Sequence, residues 1–516
     1  MEERKEQQTN QGWLRRFLQR EQGNHDTIAT QVGGDVQGAN VIGSKNVISG
    51  DVQAPVVLGS KNVIQIGNFN IPVRFILALL VVIVAGLLFA WLRFVPAQMS
   101  AAYNLAIAEF GEDQGADKTT SLPDGALLSG WVYTKLKEQY QATANQALLG
   151  DLTVELWHDS LPWTQKRSHI GFIGGEAGAA TLAKRLNAHI VIYGDYDPTQ
   201  GLAIKFYANH ELLRGDLDET SGNYQLGDPI QLQLPINQAD VGQTSYINSE
   251  MTVRANALFW LTLALVYEIQ NKPQKAFDLL KAHMPTDLPS GQRLFHFFMG
   301  REALILSDQA QDPNTQECSD TVYKHLATAR DEFTAASKDA PTYIRPIIGL
   351  GGVYFDYAQC LPPEVRFESD ELASGLATYQ KALQLAKEQK ESALIYRAQL
   401  GLGQMYQLQG DAFADSNQSD QAKQAYAQAL TWLDPTIDAL KPLEQYRLLT
   451  HAYLTRGIIN EHQAEIVTDP AVRQSFYAKA LADYGDCAKQ SGALSTDIVL
   501  QSTAKLCQTY AKQVQQ

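Results

Sequence analysis

The sequence is poor in the residues that build metal and nucleophilic sites. It has four cysteines in 516 residues, and its ten histidines are scattered. There is no Cys-x-x-Cys pair, no His-Glu-x-x-His and no calcium-loop spacing, so the common zinc and calcium sites are excluded and no metal is expected. Gly-Lys-Ser/Thr is missing, which excludes a Walker-type phosphate loop. Positive charge is also scarce. Forty-two Lys and Arg stand against 56 Asp and Glu, a formal charge of −14 that falls almost entirely after residue 74. A body this acidic is a poor nucleic-acid binder, so no nucleic-acid partner is expected.

Long hydrophobic runs are missing too, with one exception. Phe75 to Leu92 reads FILALLVVIVAGLLFAWL without a charge, between Arg74 and Arg93. At 1.5 Å per residue such a run is about long enough to cross a hydrocarbon core, and Trp91 sits where an indole favours the interface. A single transmembrane helix over 73–95 is therefore expected. The other readings are a buried core helix or a cleaved signal, and for a signal the run starts late. Arg15, Arg16, Arg20, Lys45, Lys61 and Arg74 precede the run, whereas nothing basic lies between Arg93 and Lys118. The positive-inside rule then predicts a single-pass cell-membrane protein with a cytoplasmic N-terminus and its C-terminal domains outside.

Residues 1–30 are polar and expected to be a flexible tail. Within it, Trp13, Leu14, Phe17 and Leu18 beside arginines form a short basic amphipathic patch. Residues 31–71 contain a tandem repeat: GDVQGANVIGSKNVIS from Gly34 and GDVQAPVVLGSKNVIQ from Gly50, identical at eleven of sixteen positions. β-Branched pairs separated by Gly, Asn, Asp and Ser predict short strands and tight turns. Two such units can bury their apolar faces by stacking as rungs of a small β-solenoid, or by pairing between chains. The second unit runs into Ile64-Gln65-Ile66-Gly67, which resembles the core of RIP homotypic interaction motifs. That resemblance implies homo-oligomeric, amyloid-like assembly through Val47, Ile48, Val63, Ile64, Gln65, Ile66 and Gly67. A β-solenoid stalk is the alternative.

Residues 101–250 change character. Strand patterns at Tyr103–Phe110, Asp151–Trp157, His189–Gly194, Leu202–Tyr207 and Ile230–Leu234 alternate at first with helices at Asp124–Gln141 and Gly174–Asn187, which predicts a small α/β domain. The phrases Leu105-Ala-Ile-Ala-Glu-Phe110 and Ala188-His-Ile-Val-Ile-Tyr-Gly194 resemble the α/β domain of TolB-like and FlgO-like envelope proteins. The resemblance implies a bacterial-envelope binding module with no chemistry attached. Catalytic candidates are thin. Gly171-Phe-Ile-Gly-Gly-Glu-Ala-Gly178 precedes a helix and could hold an anion, which keeps a nucleotide-dependent enzyme as a remote alternative. His158-Asp159-Ser160 has triad residue types, but adjacent extended residues point apart. No catalytic residue and no cofactor are assigned, and the chain is not expected to be an enzyme.

From 251 to 516 strands vanish. Small residues and aromatics recur at the spacing of tetratricopeptide repeats, and the region resembles that family. The units are Trp260, Ala264, Tyr267, Ala276; Gly300, Ala303, Ala329, Phe333, Ala336; Gly351, Tyr354, Gly375, Tyr379, Ala382; Gly403, Tyr406, Ala422, Tyr426, Ala429; and Tyr453, Gly457, Ala480, Tyr484, Cys487. A final helix over about 496–514 closes the row. The resemblance implies a groove lined by the first helix of each pair, where Arg301, Arg345, Arg397, Gln404 and His451 would meet a protein or peptide partner. Cys318 and Cys360 fall at the same end of neighbouring units, which permits a disulfide. Cys487 and Cys507, about a turn near Gly492, come out too far apart. The sequence thus reads as a multi-domain chain: β-repeats, one transmembrane helix, an α/β domain, then an all-α repeat solenoid. Its expected role is a membrane-anchored scaffold or receptor, with a structural envelope adaptor as the alternative.

Overall fold

The computed structural model describes four short strands between residues 45 and 72, and then residues 98–113, 119–144, 153–158, 170–209, 222–311, 318–338, 340–443, 446–492 and 498–515. The chain divides into two units, Met1–Val95 and Pro96–Gln516.

In the first unit, β1 (Lys45–Ile48), β2 (Val56–Gly59), β3 (Val63–Ile66) and β4 (Phe69–Pro72) form an antiparallel sheet in sequence order. This corrects the expected β-solenoid. The equivalent segments of the two repeats, Val47-Ile48 and Val63-Ile64, lie in β1 and β3, and β2 stands between them. Val47 pairs with Val57, and Ile64 pairs with Ile71 across the β3–β4 turn. Seven residues or fewer link each strand to the next, and a short link folds a strand back antiparallel where a solenoid needs parallel rungs.

The expected transmembrane run, Phe75–Leu92, lies outside the described residues, as does the amphipathic patch at 13–20. Among the described residues no helix is long and apolar enough to cross a membrane. The longest helix, Val241–Ile269, places its apolar residues in a protein core and carries Asn248, Glu250, Arg254 and Asn256 along its length. The membrane-anchored class, with a cytoplasmic N-terminus and the rest outside, therefore gives way to an α/β module joined to a helical array.

In the second unit, β5 (Tyr103–Ile107) is the buried centre of a mixed sheet. It runs parallel to β8 (Val154–His158) on one side and to β9 (Ile190–Asp197) on the other. The crossovers are α1 (Gly125–Ala144) and α2 (Gly175–Leu186). Antiparallel β10 (Gly201–Ala208) and β11 (Gly222–Gln225) extend the sheet beyond β9. The small hairpin of β6 (Gly111–Asp113) and β7 (Thr119–Ser121) joins at the end of β9. The expected strand at Ile230–Leu234 reduces to one bridge between Leu202 and Ile230.

Strand alternation sorts the sheet's two faces. Tyr103, Leu105 and Ile107 share a core with α1, while Ala106, Ala108, Val191 and Tyr193 pack with α2. The first face does not end with the module. Its core runs on through α3 (Val241–Ile269) into the helices beyond, from Tyr103 to Val353 without a break. Asp240 starts α3 as its N-cap, accepting from the amides of Gly242 and Gln243 at 2.9 and 3.1 Å.

The helices then alternate. First helices are α3, α5 (Pro289–Ala310), α7 (Ile344–Gln359), α10 (Ser392–Asp415) and α12 (Tyr446–Ile466). Second helices are α4 (Pro273–Ala282), α6 (Asp320–Lys338), α9 (Asp370–Gln389), α11 (Ser419–Leu440) and α13 (Pro470–Gly492). The short α8 (Pro363–Arg366) is an insertion, and α14 (Ile498–Gln515) ends the row.

One aromatic in each of α6, α9, α11 and α13 drives this packing. The ring of Phe333 sits so close to α5 and α7 that a Cβ on Gly300 or Gly349 would come within 2.8 or 2.5 Å of it. Tyr379 stands likewise between Gly351 and Gly401, Tyr426 against Gly410, and Tyr484 against Gly457. Each ring buries a large apolar area where two backbones would otherwise leave a gap.

Candidate functional site

Four first helices of the array, α5, α7, α10 and α12, bring their C-terminal parts side by side, and a cleft of about 980 Å³ opens between them. Asp308 and Gln311 enter it from the end of α5, and Gln359 and Cys360 from the end of α7. Gln407 and Asp411 come from α10, Ile458, Glu461 and His462 from α12, and Tyr510 from α14. Arg366 of α8 and the Cys318–Cys360 disulfide complete the wall.

The polar side chains are bonded to one another. Asp411 Oδ1 accepts from His462 Nδ1 at 2.6 Å and from the Tyr426 hydroxyl at 2.8 Å, while Gln407 Nε2 donates to Oδ2. Tyr484 donates to Glu461 Oε2 at 2.5 Å, and the Tyr510 ring stacks on Tyr484 with centroids 5.5 Å apart. Burial disfavours a charged His462, but the hydrogen bond and charge of Asp411, with Glu465 and Glu461 behind them, outweigh it and push its pKa up to about 9. His462 is thus an imidazolium at neutral pH. Burial, reinforced by the carboxylates they bond, raises the Tyr426 and Tyr484 phenols, so both remain donors.

Arg366 Nη2 donates to the carbonyls of Gln359 and Leu361 at 3.0 and 2.8 Å, so its charge sits on the chain leaving α7. Three carboxylates, Asp308, Asp411 and Glu461, share the lining with two cations, Arg366 and His462. The converging helix C-termini add partial negative charge. The cleft is therefore polar and mildly electronegative, with a rim built for hydrogen bonding.

The five residues predicted for the groove lie elsewhere. Arg301 is 3% exposed, and its Nε donates to Glu268 Oε1 at 3.0 Å inside the core. Burial, and then the neighbouring Glu268, push the carboxyl of the adjoining Glu302 well above its ordinary range. Arg345 lies over the Tyr224 ring, 4.7 Å from its centroid, tying α7 to β11. Arg397, Gln404 and His451 are half-buried on α10 and α12.

A simple relation links these positions to the cleft. Asp308 is seven residues after Arg301, Gln359 fourteen after Arg345, Asp411 seven after Gln404, and Ile458 seven after His451. Seven residues are close to two helical turns, so the predicted and observed residues share one face at different depths. Glu461 and Tyr510 had no sequence signal, whereas Tyr426 and Tyr484 stood out only as repeat positions.

Both cysteine pairs are joined. Cys318 and Cys360 have their Cα atoms 5.5 Å apart, and Cys487 and Cys507 6.2 Å apart. The second bridge corrects the expectation that this pair is too distant. α13 ends at Gly492 and α14 begins at Ile498, so Cys487 stands five residues before one helix end and Cys507 nine residues after the next helix start, an offset of four residues. Of the residues expected to self-assemble, Val47 and Ile48 are in β1 and Val63, Ile64, Gln65 and Ile66 in β3, while Gly67 lies outside the described residues.

The glycine-rich stretch 171–178 leads into α2, whose first turn carries Glu176. Burial raises that carboxyl and Arg345 draws it down, so the N-terminus of α2 already has an acid of its own. His158 is buried, and its Nε2 meets Ser129 Oγ at 2.9 Å in the core. Among the described residues no group of three or more His, Cys, Asp or Glu side chains is placed to hold a metal.

No family model matches the chain, and no curated protein matches it. Among solved structures, that of the S. pombe nuclear import adaptor Nro1 is similar over 49% of this chain and 83% of that chain, at 16% identity and a TM-score of 0.27.

Proposed function

We propose that the chain is a non-catalytic helical-repeat scaffold that holds a segment of a protein partner in the cleft at the C-terminal ends of α5, α7, α10, α12 and α14. The observation that carries this reading is the continuity of the lining. Successive repeats each contribute polar side chains to one cleft of about 980 Å³, so a single extended segment would touch several repeats in turn. Ligand sites between packed helices are a common solution for such folds. The excess of carboxylates and the helix C-termini favour a segment with at least one Lys or Arg.

The test is selection of random dodecapeptides displayed on phage against the full chain, followed by calorimetry of the selected peptides. Enrichment of Lys and Arg, with Glu461→Gln weakening the peptides about tenfold, supports the reading, since a charge-assisted hydrogen bond is worth roughly 1.5–3 kcal/mol. Peptides that bind the wild type and both Glu461→Gln and Asp308→Asn equally well would place the binding surface elsewhere.

A further inference from the structure

We infer that the cleft is redox-gated: a dithiol reductant reaches the Cys318–Cys360 bridge from the cleft, and its reduction loosens the wall and lowers affinity for the occupant. This inference rests on the reading of the cleft as the binding site.

The two bridges differ in access. Cys487 and Cys507 are fully buried between α13 and α14. Cys318 and Cys360 are half-buried and belong to the cleft lining. Thiol–disulfide exchange needs a thiolate to reach a sulfur, so access separates the two bridges kinetically.

Position separates them as well. Cys360 ends α7 and Cys318 stands two residues before α6, so their bridge fastens the start of one helix to the end of the next. It closes a sequence separation of 42 residues. The chain on either side of Cys360 also supplies Gln359, Leu361, Pro362 and the Arg366 anchor to the cleft. Besides the bridge, the Tyr323 hydroxyl reaches the Cys360 carbonyl at 3.4 Å, and the Tyr323 and Tyr357 rings stack 6.2 Å apart. The core of the same repeat, Phe333 between Gly300 and Gly349, does not involve the bridge. Reduction therefore changes the wall and leaves the repeat folded.

In the exchange, one thiolate of the dithiol attacks a bridge sulfur, forms a mixed disulfide and releases the other cysteine as thiolate. The second thiol of the reductant then attacks its own sulfur in the mixed disulfide and releases the remaining cysteine. The chain gains two electrons and two protons, and the dithiol ends as a disulfide.

The experiment uses the full chain, dithiothreitol, and the peptides selected above against the oxidised protein. Alkylation and peptide mapping follow each bridge as dithiothreitol is raised, and calorimetry follows peptide affinity at each step. The expected result is that Cys318 and Cys360 become alkylated first and that affinity falls about tenfold at that step, within the usual range of coupling between sites. Cys318→Ser is expected to have the reduced affinity without reductant. Simultaneous reduction of both bridges, or affinity unchanged when only Cys318–Cys360 is open, overturns the gate. The Glu461→Gln measurement distinguishes failure of the gate from failure of the binding site. Peptides that respond to Glu461→Gln but not to reduction leave the site in place and remove the gate.

Discussion

Replacing Gly401 by alanine tests whether the array is held by rings pressed between glycines. An added Cβ would lie 2.3 Å from Cε1, 2.4 Å from Cζ and 2.6 Å from Cδ1 of Tyr379. The ring cannot retreat, because a Cβ on Gly351 would lie 2.7 Å from the same ring on its other side. Forcing a methyl into such a site costs about 1–3 kcal/mol. Alanine returns roughly 1 kcal/mol over glycine in a helix interior. A clash of more than an ångström with a buried ring belongs at the upper end of the cost, so the net loss is about 1–2 kcal/mol. Gly485 in α13 is the control, since its added Cβ would meet nothing within 4 Å. There only the helix preference acts, and Gly485→Ala is expected to stabilise by about 0.5–1 kcal/mol. Urea midpoints of the two variants, read by far-ultraviolet circular dichroism and by hydrogen exchange in α9 and α13, should move in opposite directions. If both variants move together, or Gly401→Ala matches the wild type, the ring-and-glycine account fails.

Three further outcomes follow from the electrostatics and capping. Arg456 grips Asp483 through Nε and Nη2, and Asp483 is 4% exposed, so Arg456→Met should cost about 2–3 kcal/mol by urea titration. Arg456→Met with Asp483→Asn should recover part of that loss, because the stranded charge is gone. The His462 imidazole should titrate near pH 9 by NMR and fall back toward its ordinary value in Asp411→Asn. Its folded pKa lies above the unfolded one, so the stability from this ion pair is fully present below about pH 6.5 and is lost as pH rises through about 9. A melting temperature flat from pH 6 to pH 9.5 in the wild type, or equal slopes in wild type and Asp411→Asn, would refute this. Asp240→Ala removes the acceptor for the amides of Gly242 and Gln243 and should lower the thermal midpoint by an amount equivalent to about 1 kcal/mol.

Much of the helical array was legible because its determinants are local. Phe333, Tyr379, Tyr426 and Tyr484, with small residues at fixed offsets, mark the helix pairs by spacing alone. The helix face was readable for the same reason, since Arg397 and Gln404 stand fourteen and seven residues before the cleft residue Asp411. Depth along the face was not, because it depends on where neighbouring helices diverge, and that is set by contacts distant in sequence. Arg301 illustrates the ambiguity: an arginine at a groove-facing register pairs as readily with a buried Glu268. In the α/β module the parallel strands were readable from their apolar runs, whereas β11, with Gly222, Asn223 and Gln225, is defined by its neighbour β10. The tandem repeat announced strands but not their direction. The apolar run at 75–92 satisfied a length and hydropathy rule that no described helix meets.

The unbroken core from Tyr103 to Val353 also bears on how such arrays avoid self-association. A stack of helix pairs has two open ends, each an apolar face that fits another copy. Here the first end is covered by the α/β module. α1 lies along α3, Tyr140 meets Thr262 and Phe259, and Tyr224 reaches Phe297 and Phe298. α1, backed by the sheet, therefore takes the position against α3 that a preceding repeat would occupy. A further helix pair has no open face to stack on at that end.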